Sequence, residues 1–368
     1  SLFNVSKKIA RIRSQDFLEG KWSKLYSKSN IPIDVIISPE REVAKSLHRK
    51  LEAPGALDNV PFVKDKVKLL EILIENKCPL ANIPLKDLTK KFPEFKAYIF
   101  GAERKENFIF FKKNDQMKVG DKVYLVVSTD QIKELLSVFG HDEKVAQKIL
   151  IIGGGNIGMH LAKLLETSEG LRIKIIEKNK NRAEQLAGEL SSSIVICGDP
   201  LDEKILKEAN IEEVETVFAL TDDDEDNIMA CVLAEKYTPS KRTIAIINKQ
   251  NYSLLQESLK IDDLVDPRMA TVSTIMKHVH MGTIDTVYSL LDGKYEFLEA
   301  KILETSDLVN KSIKESNLPE EVRIGAIVRK NKVIMPKSNF IFEKDDIVVV
   351  LSKREQLKEV EDIFRITS

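Results

Sequence analysis

KILIIGGGNIG, residues 148–158, joins a run of four apolar residues to glycines at 153, 155 and 158. Ile149–Ile152 reads as a buried parallel strand, and the glycines fall at GxGxxG spacing ahead of a helical pattern in which Ile157, Leu161, Leu164 and Leu165 share one face. The glycines of such a loop serve separate ends: a tight turn, close approach of backbone to a pyrophosphate, and close packing of helix on strand. Phosphate would sit on the unpaired amides of the helix N-terminus. A second strand, Ile173–Ile176, ends in Glu177, 19 residues past Gly158 (158 to 177), near the place of the acid that binds a ribose diol. An acid there favours NAD over NADP, because it repels a 2'-phosphate.

Outward from this unit, SIVICGD (193–199), TVFALTD (216–222), TIAIIN (243–248) and DDLVD (262–266) continue as strands with helical stretches between them. Such alternation predicts a doubly wound parallel sheet covered on both faces, of the Rossmann type. Ligands bind beyond the carboxyl ends of strands in such sheets, which singles out Gly153–Gly158, Glu177, Gly198, Asp199, Thr221 and Asp222.

The fingerprint lies in the middle of the 368 residues, and a long internal repeat explains why. Ile33-Asp34 and Pro39 match Ile261-Asp262 and Pro267 at an offset of 228 (33 to 261, 39 to 267). Gly55 and Asp58 match Gly282 and Asp285, and VYLVVS (123–128) matches IVVVLS (347–352), each followed by a helix. Agreement in pattern, order and spacing over this length is the mark of a tandem duplication. KIARIR (8–13) then occupies the place of RTIAIIN (242–248), so the first copy is expected to start inside its lobe, about 80 residues and a glycine loop short of its twin.

A helical connector follows each lobe, SPEREVAKSLHRKLEAPGA (38–56) and DPRMATVSTIMKHVHMG (266–282), and leads into a small α/β module. In the second module the reading is strand 295–303, helix 308–317, strand 322–330, a turn at Lys330-Asn331, strand 332–336, strand 345–352 and a closing helix. Val322, Ile324, Ala326 and Val328 alternate as a half-buried strand does. The expected division is 1–55, remnant of the first Rossmann lobe with its connector; 56–141, first small module; 146–281, second lobe with its connector; and 282–368, second small module.

Composition bounds the function. Apolar residues make up 43% of the chain, enough for several cores, and a net charge of -1 without a basic patch argues against nucleic acid as a partner. No apolar run approaches the roughly 20 residues that span a bilayer, so a cytoplasmic location is expected. Cys78, Cys197 and Cys231 lack metal spacing and read as reduced, buried thiols. No catalytic Ser/His/Asp set or metal cluster stands out. The acidic run Asp222–Asp226 suits the N-terminus of a helix. His278 and His280, two residues apart, share no helix face and read as connector residues. Trp22 suggests no base stacking, Phe108, Phe110 and Phe111 read as core and interface, and Asp121 and Asp346 as turn residues.

The GGGNIG loop, the IIE and ICGDP strand ends, ALTDDDEDNIMA, KIARIR, ISPEREVA and APGALD together resemble the TrkA family, cytoplasmic regulators of Trk potassium uptake built of tandem RCK (KTN) N-terminal and C-terminal domains. The resemblance covers the whole chain. It implies Rossmann-like sheets alternating with small α/β RCK C-terminal domains, and a binding protein, not an enzyme. It also implies NAD(H) and, in several members, ATP or ADP as ligands, a homo-oligomeric ring, and an integral-membrane partner of the TrkH or TrkG type that brings the protein to the inner face of the plasma membrane. On this chain the phosphates fall to Gly153, Gly154, Gly155, Asn156, Ile157 and Gly158, and the adenosine ribose to Glu177. Asp199 is placed near the adenine, and Thr221 and Asp222 at the fourth strand end. In the first copy Arg11 or Arg13 remains as a phosphate contact. The fingerprint alone would equally serve an NAD-dependent oxidoreductase or the sensor of another RCK-gated channel or exporter.

Overall fold

The computed structural model describes residues 8–13, 17, 31, 33–92, 95–143, 145–237, 242–256, 258–279, 284–291, 293–319 and 321–364. In chain order these form β1 (Ile9–Arg11), β2 (Val35–Ile37), α1 (Pro39–Glu52), β3 (Asp58–Phe62), β4 (Val67–Leu73), α2 (Leu85–Lys91), β5 (Ala97–Arg104), β6 (Asn107–Phe110), β7 (Lys122–Ser128) and α3 (Ile132–Phe139). Next come β8 (Lys148–Ile152), α4 (Asn156–Leu165), β9 (Arg172–Glu177), α5 (Lys180–Glu189), β10 (Ile194–Cys197), α6 (Glu203–Glu208), β11 (Thr216–Ala219), α7 (Asp224–Tyr237), β12 (Arg242–Ile246), β13 (Asp263–Val265) and α8 (Pro267–Val279). The last are β14 (Ile284–Leu290), β15 (Tyr295–Lys301), β16 (Arg323–Arg329), β17 (Lys332–Ile334), β18 (Ile347–Lys353) and α9 (Leu357–Phe364). They gather into two compact units, residues 1–51 with 145–275, and residues 52–144 with 276–368. Trp22 and His280 lie outside the described residues, as does the side chain of His278.

The first unit is built on a six-stranded parallel sheet of order β10-β9-β8-β11-β12-β13. The order in which strands are added reverses between β8 and β11, the switch point at which such sheets open a crevice. Ile149 to Ile152 are all buried, their alternate side chains serving a core on each face. β1 and β2 pair in parallel with the register of β12 and β13, Ile9 opposite Val35 as Ile244 is opposite Asp263. The sequence match of KIARIR to RTIAIIN is therefore a match of strands. α1 carries Glu40 and Glu42 in its first turn and Arg49 and Lys50 in its last, which complements the helix dipole. Its apolar face (Val43, Ala44, Leu47, Leu51) packs with Ile149, Ile151 and Leu161 of the second copy. Lys50 adds a buried ion pair to Asp263 at 2.7 Å, and Arg242 meets the same carboxylate at 2.8 Å.

The second unit holds two antiparallel sheets of identical order, β3-β4-β7-β5-β6 and β14-β15-β18-β16-β17. Both carry an irregularity at one equivalent place, between Ile99 and Gly101 and between Ile324 and Ala326. Phe100 sits at one bulge and Gly325 at the other, and a Cβ on Gly325 would lie 2.1 Å from Phe100 Cζ. The Phe100 ring thus occupies space that only glycine leaves open, and meets Phe297 edge-on at 4.9 Å.

Three readings need correction. The helix expected over 308–317 is a single 3-10 turn, Ile313–Glu315, closed by a Ser312/Glu315 capping box. Asn310 and Asn317 adopt left-handed backbone, and the amides of Asn310, Ile313 and Lys314 bond to the carbonyls of Phe342, Phe340 and Ser338 instead of to helical partners. Asp121 and Asp346 are more than turn residues: both are buried, each held through two oxygens by an arginine, Arg104 at 2.6 and 2.6 Å and Arg329 at 2.8 and 2.7 Å. Of the thiols, Cys78 and Cys231 are buried but Cys197 is exposed.

Two outcomes follow. Gly325→Ala should cost about 1–3 kcal/mol in urea unfolding through overpacking, and adding Phe100→Leu should recover part of it; simple additivity of the two would contradict the contact. Glu166 accepts from the amides of Ser191, Ser192 and Ser193 and from Ser193 Oγ. Burial pushes its carboxyl up, but these bonds outweigh it and hold the group at about 2 against an ordinary 4.5. A depressed folded-state value stabilises above the unfolded one and is lost as pH falls through the folded one. The stability gap between wild type and Glu166→Gln should therefore be full above pH 4.5 and vanish near pH 2; a pH-independent gap would refute it.

Candidate functional site

The glycine loop is determined by what its backbone touches. Gly153 has φ +99°, and a Cβ there would lie 2.7 Å from the Thr221 amide nitrogen, so the turn passes directly against the end of β11. A Cβ on Gly158 would stand 2.1 Å from the Gly153 carbonyl oxygen, which sets how closely α4 seats on the loop. A Cβ on Gly154 would meet Leu186 of α5 at 2.2 Å. Gly155 differs: its φ of -59° suits any residue, and a Cβ would meet nothing within 4 Å. α4 begins at Asn156 with Gly155 as its N-cap and without a side-chain cap, so its first amides are left for another acceptor.

Around this loop the strand ends supply carboxylates and hydroxyls. Glu177 Oε2 accepts from the Gly154 amide at 2.8 Å and Oε1 from Asn179 at 2.8 Å. Asp199 pairs with Lys178 at 2.7 Å, and that hydrogen bond, with a second from the Leu201 amide, holds its carboxyl below the ordinary range. Thr221 is locked by buried Asn227, which accepts from its amide and hydroxyl at 2.9 and 2.8 Å and donates to the Ile246 carbonyl at 3.0 Å. In the acidic run, Asp223 does cap α7, accepting from the Asp226 amide at 2.8 Å. Asp224 acts differently, since it is buried, accepts from the amides of Asn248 and Lys249 and fixes the chain beyond β12.

These ends open on a cleft of about 320 Å³. Gly155, Asn156, Ile157, Thr221 and Asp222 line one side. Arg11 and Arg13, from the first copy, line another, and the helix starts Pro39-Glu40 and Pro267-Arg268 complete it. Sequence reasoning offers Arg11 or Arg13 as a phosphate contact in the first copy; both line the cleft that also holds the second copy's Gly155, Asn156 and Ile157. Gly153, Gly154 and Gly158 form the frame behind the cleft, and neither Glu177 nor Asp199 is part of its wall. Sequence reasoning missed Glu40, Asn248 and Arg268. The repeat held the signal, since it aligns Pro39 with Pro267 and so Glu40 with Arg268. Arg13 lies 3.8 Å from Glu40, and Arg268 is fixed by Asp266 at 2.7 Å and the Asn248 carbonyl at 2.8 Å. Among the described residues no group of acids, histidines or cysteines is placed to hold a metal ion, and no helix is long and apolar enough to cross a membrane.

A Rossmann sheet whose glycine loop opens on a cleft, in a chain that also carries two small antiparallel modules of identical topology, has the architecture of a ligand-binding protein. Comparison with known proteins gives the family. Residues 149–267 match the TrkA-N domain, and residues 69–140 and 297–365 each match the TrkA-C domain. The Trk system potassium uptake protein TrkA of Azorhizobium caulinodans is 42% identical over all of this chain and 80% of its own length, and that of Vibrio alginolyticus 34% identical over 99% and 80%. The GsuK RCK domain shares the fold at a TM-score of 0.54 and 16% identity, over 97% of this chain and 80% of that one. A GsuK channel bound to NAD superposes at 0.52 with 15% identity, over 97% and 62%. The chain belongs to the TrkA family.

The contrast between glycines is testable. Gly155→Ala should leave the thermal midpoint within a degree or two of wild type while filling the open side of the loop, whereas Gly158→Ala should destabilise by about 1–3 kcal/mol through its backbone clash. Calorimetric melting of both variants checks this, and equal losses would contradict it.

Proposed function

We propose that this chain is a nucleotide-binding regulatory subunit of a Trk-type potassium uptake system, with NAD(H) as ligand and ATP or ADP as competitors for the same cleft. The observation that carries the reading is the open face of Gly155. It fronts the cleft at the N-terminus of α4 with Arg11 and Arg13 nearby, while the other loop glycines are consumed by packing. Open space, unclaimed helix amides and cations form an anion site. The Gly155–Ile157 segment takes the phosphates with Arg11, Glu177 reaches the ribose from behind Gly154, and Asp199 lies toward the adenine. Thr221 and Asp222 close the far end.

The regulatory reading is favoured over an oxidoreductase by the lining itself. Among the described residues, its lining includes no His, Lys or Tyr to exchange a proton beside a nicotinamide. The relatives are named potassium uptake proteins, and the GsuK channel whose fold this chain shares is bound to NAD. In the same reading the chain divides at 1–55, 56–141, 146–281 and 282–368, assembles as a ring, and sits at the cytoplasmic face of a membrane transporter subunit of the TrkH or TrkG type. The cleft is walled by both copies, so a nucleotide that fits one arrangement of β1 and α1 against the glycine loop better than another shifts their populations. The shift cannot exceed its difference in affinity for the two.

Calorimetric titration tests this. NADH should bind saturably, and Glu177→Ala or Arg11→Ala should weaken it about 10-fold, the loss of a charge-assisted hydrogen bond. Steady consumption of NADH with a panel of carbonyl substrates, or wild-type protein that binds neither NADH nor ADP, would overturn the proposal.

A further inference from the structure

Gly154 is gripped on both of its peptide groups. Its N–H donates to Glu177 Oε2 at 2.8 Å, and its carbonyl accepts from Arg182 Nε at 2.8 Å. Arg182 stands in the first turn of α5, whose Asn179 cap accepts from its amide at 3.0 Å. Its guanidinium is oriented by a bond to Gln185 Oε1 at 2.8 Å and a contact to Met159 Sδ at 3.6 Å. The residue is not part of the cleft wall.

The peptide that Arg182 holds joins two glycines, 154 and 155. Rotating it by half a turn would carry Gly155 from φ -59° to a positive value, a state that glycine alone enters without strain. Gly155 carries no Cβ, and the space where one would stand is open, so no side-chain clash at this residue opposes the flipped state. In a trans peptide the N–H points opposite to the carbonyl. Fixing the Gly154 carbonyl toward α5 therefore fixes the Gly155 N–H away from α5, on the residue that lines the cleft.

Resting on the proposed nucleotide reading, we infer that Arg182 is a positioning residue for phosphate recognition: from behind the loop it holds the 154–155 peptide so that the Gly155 N–H is presented to a phosphate group in the cleft. Glu177 fixes the preceding 153–154 peptide by accepting from its N–H, so that amide is engaged within the protein and the Gly155 N–H is the one left to the cleft. The ligand feature read by this arrangement is a nucleotide phosphate, whichever nucleotide carries it.

Arg182→Met keeps an unbranched side chain out to the Nε position and removes the donors; Arg182→Lys keeps a donor. Titrations of ADP and NADH into wild type and both variants, with thermal melts of each, are the test. The methionine variant should lose about 10-fold in affinity for both nucleotides, with its melting midpoint close to wild type, and the lysine variant should recover most of that loss. A second readout is the Gly155 amide resonance of 15N-labelled protein without ligand, which should move in the methionine variant and return in the lysine one. Undiminished affinity in Arg182→Met, or loss that follows the melting midpoint and is not recovered by lysine, would overturn the inference while leaving the nucleotide reading intact. Wild type that binds neither nucleotide would instead remove the reading on which it rests.

Discussion

The tightest constraint in the nucleotide lobe is the seating of α4 on the glycine loop, where a methyl at residue 158 would stand 2.1 Å from the Gly153 carbonyl. That distance settles where the helix begins, and so where its unpaired amides face. Gly153, pressed against the end of β11 with a left-handed φ, sets the loop at the point where the strand order of the parallel sheet reverses. Once these two approaches are made, Gly155 is left as the one glycine of GxGxxG whose missing side chain serves nothing inside the protein. Spare room in a loop otherwise packed to contact is the structural signature of a site kept for something else.

Duplication supplied the walls of that site. β1 and β2 repeat the register of β12 and β13, and α1 covers the second copy's sheet with Val43, Ala44, Leu47 and Leu51. The two copies have since diverged where they meet the cleft: Glu40 stands in the place of Arg268. A similar divergence marks the paired antiparallel sheets, where Phe100 and Gly325 occupy equivalent bulges and the ring of one fills the void of the other. Equal backbones with complementary side chains let one fold pack against its own copy.

Much of this was legible in the sequence because its signals are local. The run from Ile149 to Ile152, the glycines, and Glu177 specify strand, turn, helix and strand within about 30 residues, the span of one βαβ unit. What escaped depends on partners far along the chain. Residues 308–317 have helical spacing of apolar side chains, but their amides are taken by residues 338–342, and two asparagines in left-handed backbone break the run. Asp121 and Asp346 look like turn residues until the arginines on neighbouring strands are seen. Arg11 lines a cleft with the second copy's glycine loop, and no local pattern says that β1 would stand beside that loop.

A structure of this chain with NADH bound tests the central claim most directly. The account predicts the pyrophosphate in the cleft, within hydrogen-bond distance of the Gly155 and Asn156 amides and of Arg11 or Arg13, with the adenosine ribose toward Glu177. A dinucleotide bound away from the loop, or seated in the cleft with its phosphates turned from Gly155, would contradict it.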